Sequence, residues 1–177
     1  MVRKDTKKII MDYFFDNPTS KLRVRQIEKK LNLSMPSVLR YSDELVKEKI
    51  LKIEKISGVT FFSANRMSKK FLFEKQLYNL KKMNESDLID YLKKELSNPL
   101  IIVFGSYSKG EDIEKSDIDL YIETPSKKKV DLKKFEKILK RDIQLFVFQS
   151  IKKINNVHLR NNIINGIVLN GFLEVFK

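Results

Sequence analysis

The residues with the clearest chemical potential lie in the run Val103-Phe104-Gly105-Ser106-Tyr107-Ser108-Lys109-Gly110 and, further on, in Lys115-Ser116-Asp117-Ile118-Asp119-Leu120. Ten residues separate Ser106 from Asp117. The apolar stretch from Leu100 to Phe104 runs straight into Gly105, where a chain can turn sharply and approach an anion because no Cβ is in the way. Ser106 then offers a hydroxyl and a backbone N–H at the start of an expected short helix, whose positive end favours anionic oxygens. Asp117 and Asp119 stand two apart on an expected strand and so project from one face. Two carboxylates held side by side repel unless a cation lies between them, and Mg2+ is the natural counter-charge for oxygen ligands. Gly105, Ser106, Lys109 and Ser116 are therefore candidates for phosphate binding, with Lys115 a weaker one. The same two acids on a bare edge strand would only discourage aggregation. Their coincidence with a glycine turn, Gly110 and Ser116 argues for chemistry instead.

These residues need a framework, and the pattern around them supplies one. From Pro99 onward apolar strands alternate with helices, the signature of an α/β domain. Leu100–Phe104 is a fully apolar strand, and Asp117–Ile122 a second with acids alternating on one face. A helix is expected over 131–140, a third strand over 143–148, a helix over 151–165 and a short terminal segment from Gly166. Upstream, 67–97 reads as two helices. The first carries Phe71, Phe73, Leu77 and Leu80 and is a connector and candidate homodimer seam; the second carries Leu88, Ile89, Tyr91, Leu92 and Leu96.

The N-terminal third follows a different plan. Ile9, Ile10, Tyr13 and Phe14 recur at helical spacing until Asn17-Pro18. A short amphipathic helix follows over Val24–Leu31, then a turn with Ser34 as N-cap and Pro36 in the first turn of a third helix. Leu51–Ile56 alternates with period two, Ser57-Gly58 turns, and Val59–Phe62 continues as a second strand. The expected class is α+β, divided into 1–66, a helical connector at 67–98, and 99–177.

Composition bounds the function. The chain has 177 residues and a formal net charge of +13, which attracts phosphate-rich partners. Residues 1–66 hold 15 Lys/Arg against 8 Asp/Glu, and residues 99–177 hold 14 against 10, so the N-terminal third is the more basic end. There is no cysteine and one histidine, His158, so neither a disulfide framework nor a zinc site has a donor set. No apolar run approaches bilayer length, and Met1-Val2-Arg3-Lys4-Asp5 lacks the apolar stretch of a secretory signal. A cytoplasmic protein is the simplest expectation.

Two resemblances sharpen these readings. Residues 3–65 resemble a winged helix-turn-helix domain, which implies that the third helix enters the DNA major groove while the hairpin touches the backbone. Ser34, Ser37 and Arg40, near the start of that helix, are the implied nucleic-acid contacts. Winged helices also serve as protein-docking modules; the basic balance favours DNA. Residues 88–170 resemble the nucleotidyltransferase superfamily that includes DNA polymerase beta, and most closely its minimal nucleotidyltransferase branch. The signature is an apolar strand ending in Gly-Ser, about ten residues, then Asp-apolar-Asp. That resemblance implies a small mixed sheet, an NTP donor (ATP foremost), Mg2+ held by Asp117 and Asp119, and a protein acceptor such as a partner toxin, or a nucleic-acid acceptor. The family's third carboxylate sits on the third strand between apolar residues, and here that slot, in Ile143-Gln144-Leu145, holds Gln144. Asp142, two residues earlier on the same face, is the substitute candidate; glutamine donates oxygen but takes no proton. The alternative is a DNA-binding regulator whose transferase domain has become a nucleotide sensor or dimerising module.

Overall fold

The computed structural model describes residues 5–175. The start of the stretch read above for a secretory signal, residues 1–4, and the last two residues of the 99–177 domain lie outside the described residues. The chain divides into two compact units, between Tyr78 and Asn79.

The first unit begins with α1 (Thr6–Asp16), whose N-terminus is capped by Asp5: its Oδ1 accepts the Lys8 N–H at 3.1 Å. After β1 (Lys21–Leu22) come α2 (Val24–Leu31), α3 (Met35–Lys47), β2 (Leu51–Ile56), β3 (Val59–Ala64) and the start of α4 (Lys69–Glu85). The sheet has the order β1-β3-β2, all antiparallel. Ser57 and Gly58 both take positive φ, 48° and 77°, as a two-residue hairpin turn that follows the strand twist requires. Ile10, Phe14, Phe15, Ile27, Val38, Leu45, Leu51, Phe62 and Phe71 close the core. Fully burying one such side chain contributes roughly 1.5–3 kcal/mol. Ser34 occupies the N-cap of α3 as expected, but its hydroxyl donates to Ser37 Oγ at 2.9 Å and caps no backbone N–H. The two-residue β1 has no local signature; only its pairing with β3 defines it.

The second unit opens with the end of α4 and α5 (Leu88–Glu95). Then follow β4 (Leu100–Phe104), α6 (Gly105–Lys109), β5 (Ile118–Glu123), α7 (Lys133–Leu139), β6 (Ile143–Phe148), α8 (Val157–Ile164) and β7 (Ile167–Asn170). The sheet order is β6-β5-β4-β7; β5 and β6 run parallel and the other pairs antiparallel, so the sheet is mixed and the fold α+β. Alternation along β5 sends Ile118, Leu120 and Ile122 into one core with Leu88, Leu92, Phe135 and Leu139. Tyr121 enters a core on the opposite face with Phe104, Ile151, Ile154 and Ile163. Asp119 therefore belongs to Tyr121's face.

The stretch 67–98 contributes to both units. Phe71, Leu72 and Tyr78 pack with the first core, while Met83, Leu88, Leu92 and Leu96 belong to the second. Of the residues read as a dimer seam, Phe71 is buried and Leu80 packs on the second core, leaving Phe73 and Leu77 exposed. The helix expected over 151–165 is broken: a 3-10 turn at Ile151–Lys153 precedes α8, because Asn156 Oδ1 accepts the Leu159 N–H at 3.1 Å and starts a new helix.

Candidate active site

The β4–α6 junction is where local sequence and non-local packing coincide. Gly105 has φ +73°, a conformation that strains any residue with a Cβ. A Cβ placed there would lie 2.4 Å from Asp119 Oδ2. The antiparallel register sets Phe104 opposite Asp119, so the glycine following Phe104 leaves the space that the carboxylate fills. The glycine thus serves an acid on the next strand as well as a turn.

Asp117 is exposed just before β5 and Asp119 is half-buried within it. The pKa of Asp119 is raised above its ordinary 3.8, first by burial and then by the charge of Asp117. Two neighbouring acids, one of them half-buried and made costlier to ionise by the other, form the donor pair that a hard divalent cation relieves. Mg2+ is held by one or two carboxylates plus substrate phosphates, and this pair fits that requirement. Among the described residues no group of three or more His, Cys, Asp or Glu comes together that could hold a metal.

The parallel register of β5 and β6 places Gln144 directly beside Asp119. The Asp142 carbonyl accepts the Ile118 N–H at 2.8 Å, which anchors Asp142 one pleat earlier, level with Asp117. Gln144 and Asp142 are both exposed. Asp117 and Asp142 border a shared open cavity of about 380 Å³, together with Lys115, Ser116 and residues of α7.

Ser106 is partly exposed behind Gly105, and Lys109 is exposed at the end of α6, where Gly110 (φ 70°) terminates the helix. Tyr107, a residue whose ring could have stacked on a base, is buried instead and donates through its hydroxyl to the Asn79 carbonyl at 3.3 Å. Ser116 shapes the loop: its Oγ accepts the Ile113 N–H at 3.0 Å and pins the segment that delivers Asp117.

Sequence reasoning missed the support beneath this turn. Buried Asn79 donates to the Tyr107 carbonyl at 2.9 Å and to Asp112 Oδ1 at 2.8 Å. Asp112 also meets Arg141 at 3.6 Å, both side chains being buried. The three residues tie α4, the α6–β5 loop and the start of β6 together, so the Gly105 turn and the strand beginnings of both acids share one frame. The only local hint was an acid in a loop otherwise rich in solvent-facing charge.

In the first unit, Ser34 and Arg40 are exposed and Ser37 half-buried. Arg40 lies over the Tyr41 ring and its Nε donates to Glu44 at 3.1 Å.

Among the described residues no helix is long and apolar enough to cross a membrane. No curated protein and no solved structure matches the chain. Residues 85–170 match the family model described as Nucleotidyltransferase domain, which supports nucleotidyl transfer as the general activity of the second unit.

Proposed function

We propose that this protein transfers a nucleotidyl group, AMP from ATP foremost, to a hydroxyl on a protein or nucleic-acid acceptor. Asp117 and Asp119 would hold Mg2+, and the first unit, read as a winged helix-turn-helix, would tether the enzyme to DNA. The observation that carries the reading is the Asp119 carboxylate seated where a Gly105 side chain would be, beside Asp117. When bound, the metal offsets charge developing on the α-phosphate and on the pyrophosphate leaving group. Gly105 and Ser106 present a bare backbone and a hydroxyl to the donor's phosphates. The acceptor oxygen forms a bond to the α-phosphorus, the bond from that phosphorus to the bridging oxygen breaks, and pyrophosphate departs with the electron pair. The hydroxyl proton passes to Asp142, which shares the open cavity with Asp117; Gln144 cannot receive it.

The test is label transfer from each of the four NTPs, carrying label at the α or at the γ position, to the protein itself, tRNA or cell extract with Mg2+. Transfer of α-label alone, abolished by Asp119→Ala with DNA binding intact, is the expected result. A second reading is favoured by Gln144: a DNA-binding regulator whose second unit senses nucleotides or dimerises. Tight operator binding with no transfer of either label would select it.

A further inference from the structure

The cavity beside Asp117 has a composition that the donor site does not explain. Its wall includes Asp117 and Asp142 but neither Gly105 nor Ser106, so the cavity overlaps the donor candidates at Lys115, Ser116 and Asp117 and extends away from the Gly105 turn along α7. Four lysines, Lys115, Lys133, Lys137 and Lys140, border it. Lys133, Lys137 and Lys140 fall at i, i+4 and i+7 from the first residue of α7 to its C-cap, a spacing that lines up side chains on one face. Among the described residues none of the four lysines is engaged in an ion pair with a carboxylate. Glu114 and Glu136 also border the cavity; Glu136 accepts the Ile143 N–H at 3.2 Å, and Arg141 is committed to Asp112. The uncommitted positive charge at the rim is therefore lysine.

We infer that this cavity is the acceptor site, and that the acceptor is a nucleic-acid strand. Its backbone phosphates lie along the α7 lysines while its terminal hydroxyl reaches Asp117 and Asp142. The inference rests on the nucleotidyl-transfer reading and names the acceptor class that reading leaves open. The lysine stripe spans about 10 Å at 1.5 Å per residue, long enough to meet successive backbone phosphates of one strand and longer than a single phosphate needs. A polyanion of regular spacing satisfies such a row; an isolated hydroxyl on a protein surface does not need it. With Mg2+ neutralising the aspartates, the rim's net attraction for phosphate increases.

The test uses the full chain carrying Arg25→Ala and Lys29→Ala, which lowers the first unit's background, and reads the second unit as the change on adding substitutions there. Anisotropy of a fluorescein-labelled single-stranded oligonucleotide, in RNA and DNA versions to separate the two sources of that backbone, is followed against salt. Adding Lys133→Glu and Lys137→Glu is expected to weaken binding at least about tenfold and to shrink the log–log salt slope by about 1.4, at about 0.7 per lost single-strand contact. ATP–Mg2+ affinity, measured by calorimetry, is expected to stay within about twofold. The milder Lys133→Gln and Lys137→Gln pair, with an unchanged circular dichroism spectrum, gives the same slope change if charge rather than folding is responsible. Unchanged oligonucleotide affinity and slope overturn the inference. So does a parallel loss of ATP affinity, which assigns the cavity to the donor's triphosphate. Loss of label transfer onto protein in nuclease-treated extract, with oligonucleotide binding intact, assigns it to a protein acceptor. Because binding is read without turnover, a wild type that transfers no label refutes the nucleotidyl reading and leaves this result separately readable.

Discussion

The start of α3 in the first unit and the Gly105 turn in the second draw attention on similar grounds, polar side chains at a helix start, yet they differ in what those side chains do. On α3 the polar groups satisfy one another. Ser34 donates to Ser37, Arg40 pairs with Glu44, and the helix balances Arg40 and Lys47 against Asp43 and Glu44. At the Gly105 turn, charge is left uncompensated: Asp119 is half-buried beside Asp117, and its raised pKa records the cost. A site awaiting a ligand keeps groups that its own fold does not satisfy. By that criterion the Asp117–Asp119 pair is the place in the second unit where we propose that a cation binds. In the first unit Arg25 and Lys29 of α2 are exposed, and for the proposed nucleic-acid contact they are rivals to the α3 residues.

The largest break in this contrast comes from Asp119→Asn. Transfer should fall about 10³-fold, since a metal contact of several kcal/mol is lost, while the metal-free protein should become more stable at neutral pH. The sign follows from the raised pKa. Asp119 stabilises the fold fully when protonated, below its ordinary 3.8, and that contribution is lost as pH rises through the higher folded value. Asparagine removes the penalty, so thermal melting in EDTA should show a gain near pH 7 that vanishes under acid conditions. Lower stability at neutral pH would mean that Asp119 is held by favourable contacts.

A smaller effect tests the neighbouring strand. Asp142→Asn should lower kcat about 10²-fold, as removal of a general base does, with little change in donor KM. Gln144→Asp places an acid beside Asp119 and should raise kcat. A Gln144→Asp variant that is slower, with Asp142→Asn near wild type, would show that the proton leaves by another route.

Gly105→Ala should cost about 1–2 kcal/mol of stability through its left-handed backbone alone, measured by urea denaturation. It should also depress transfer beyond what the folded fraction explains, because the new Cβ displaces the Asp119 carboxylate. Activity restored in full at low temperature would separate the turn from the site.

The mildest change is predicted on α3. Arg40→Ala should alter nucleic-acid affinity less than about threefold, whereas Arg25→Ala with Lys29→Ala should cost about tenfold and flatten the salt dependence. The reverse order, read by gel shift across salt concentrations, would favour α3 as the contact helix.

Much of this was legible in the sequence because it is local. The run into Gly105, the ten-residue spacing and the Asp-Ile-Asp alternation define the strand end, the turn and the shared face without any knowledge of packing. The hairpin was equally local, since Ser57-Gly58 sits between two alternating runs. What stayed hidden depends on partners distant in sequence. Lys21-Leu22 becomes a strand only through β3. Asn79 supports the turn from 28 residues away. The second reason for glycine at 105 is a carboxylate fourteen positions later. The loop role of Ser116, whose oxygen accepts the Ile113 N–H, was likewise hidden, because it depends on how the chain turns between α6 and β5.

The most direct test of the paired-carboxylate account is calorimetry of ATP binding to the wild type, with and without Mg2+, across pH. Binding should require Mg2+ and should weaken as pH falls through the raised pKa of Asp119, where a proton competes with the cation, and Asp119→Asn should abolish the Mg2+ requirement together with the tight binding. ATP affinity that is equal without Mg2+, insensitive to acid and unchanged in Asp119→Asn would contradict it.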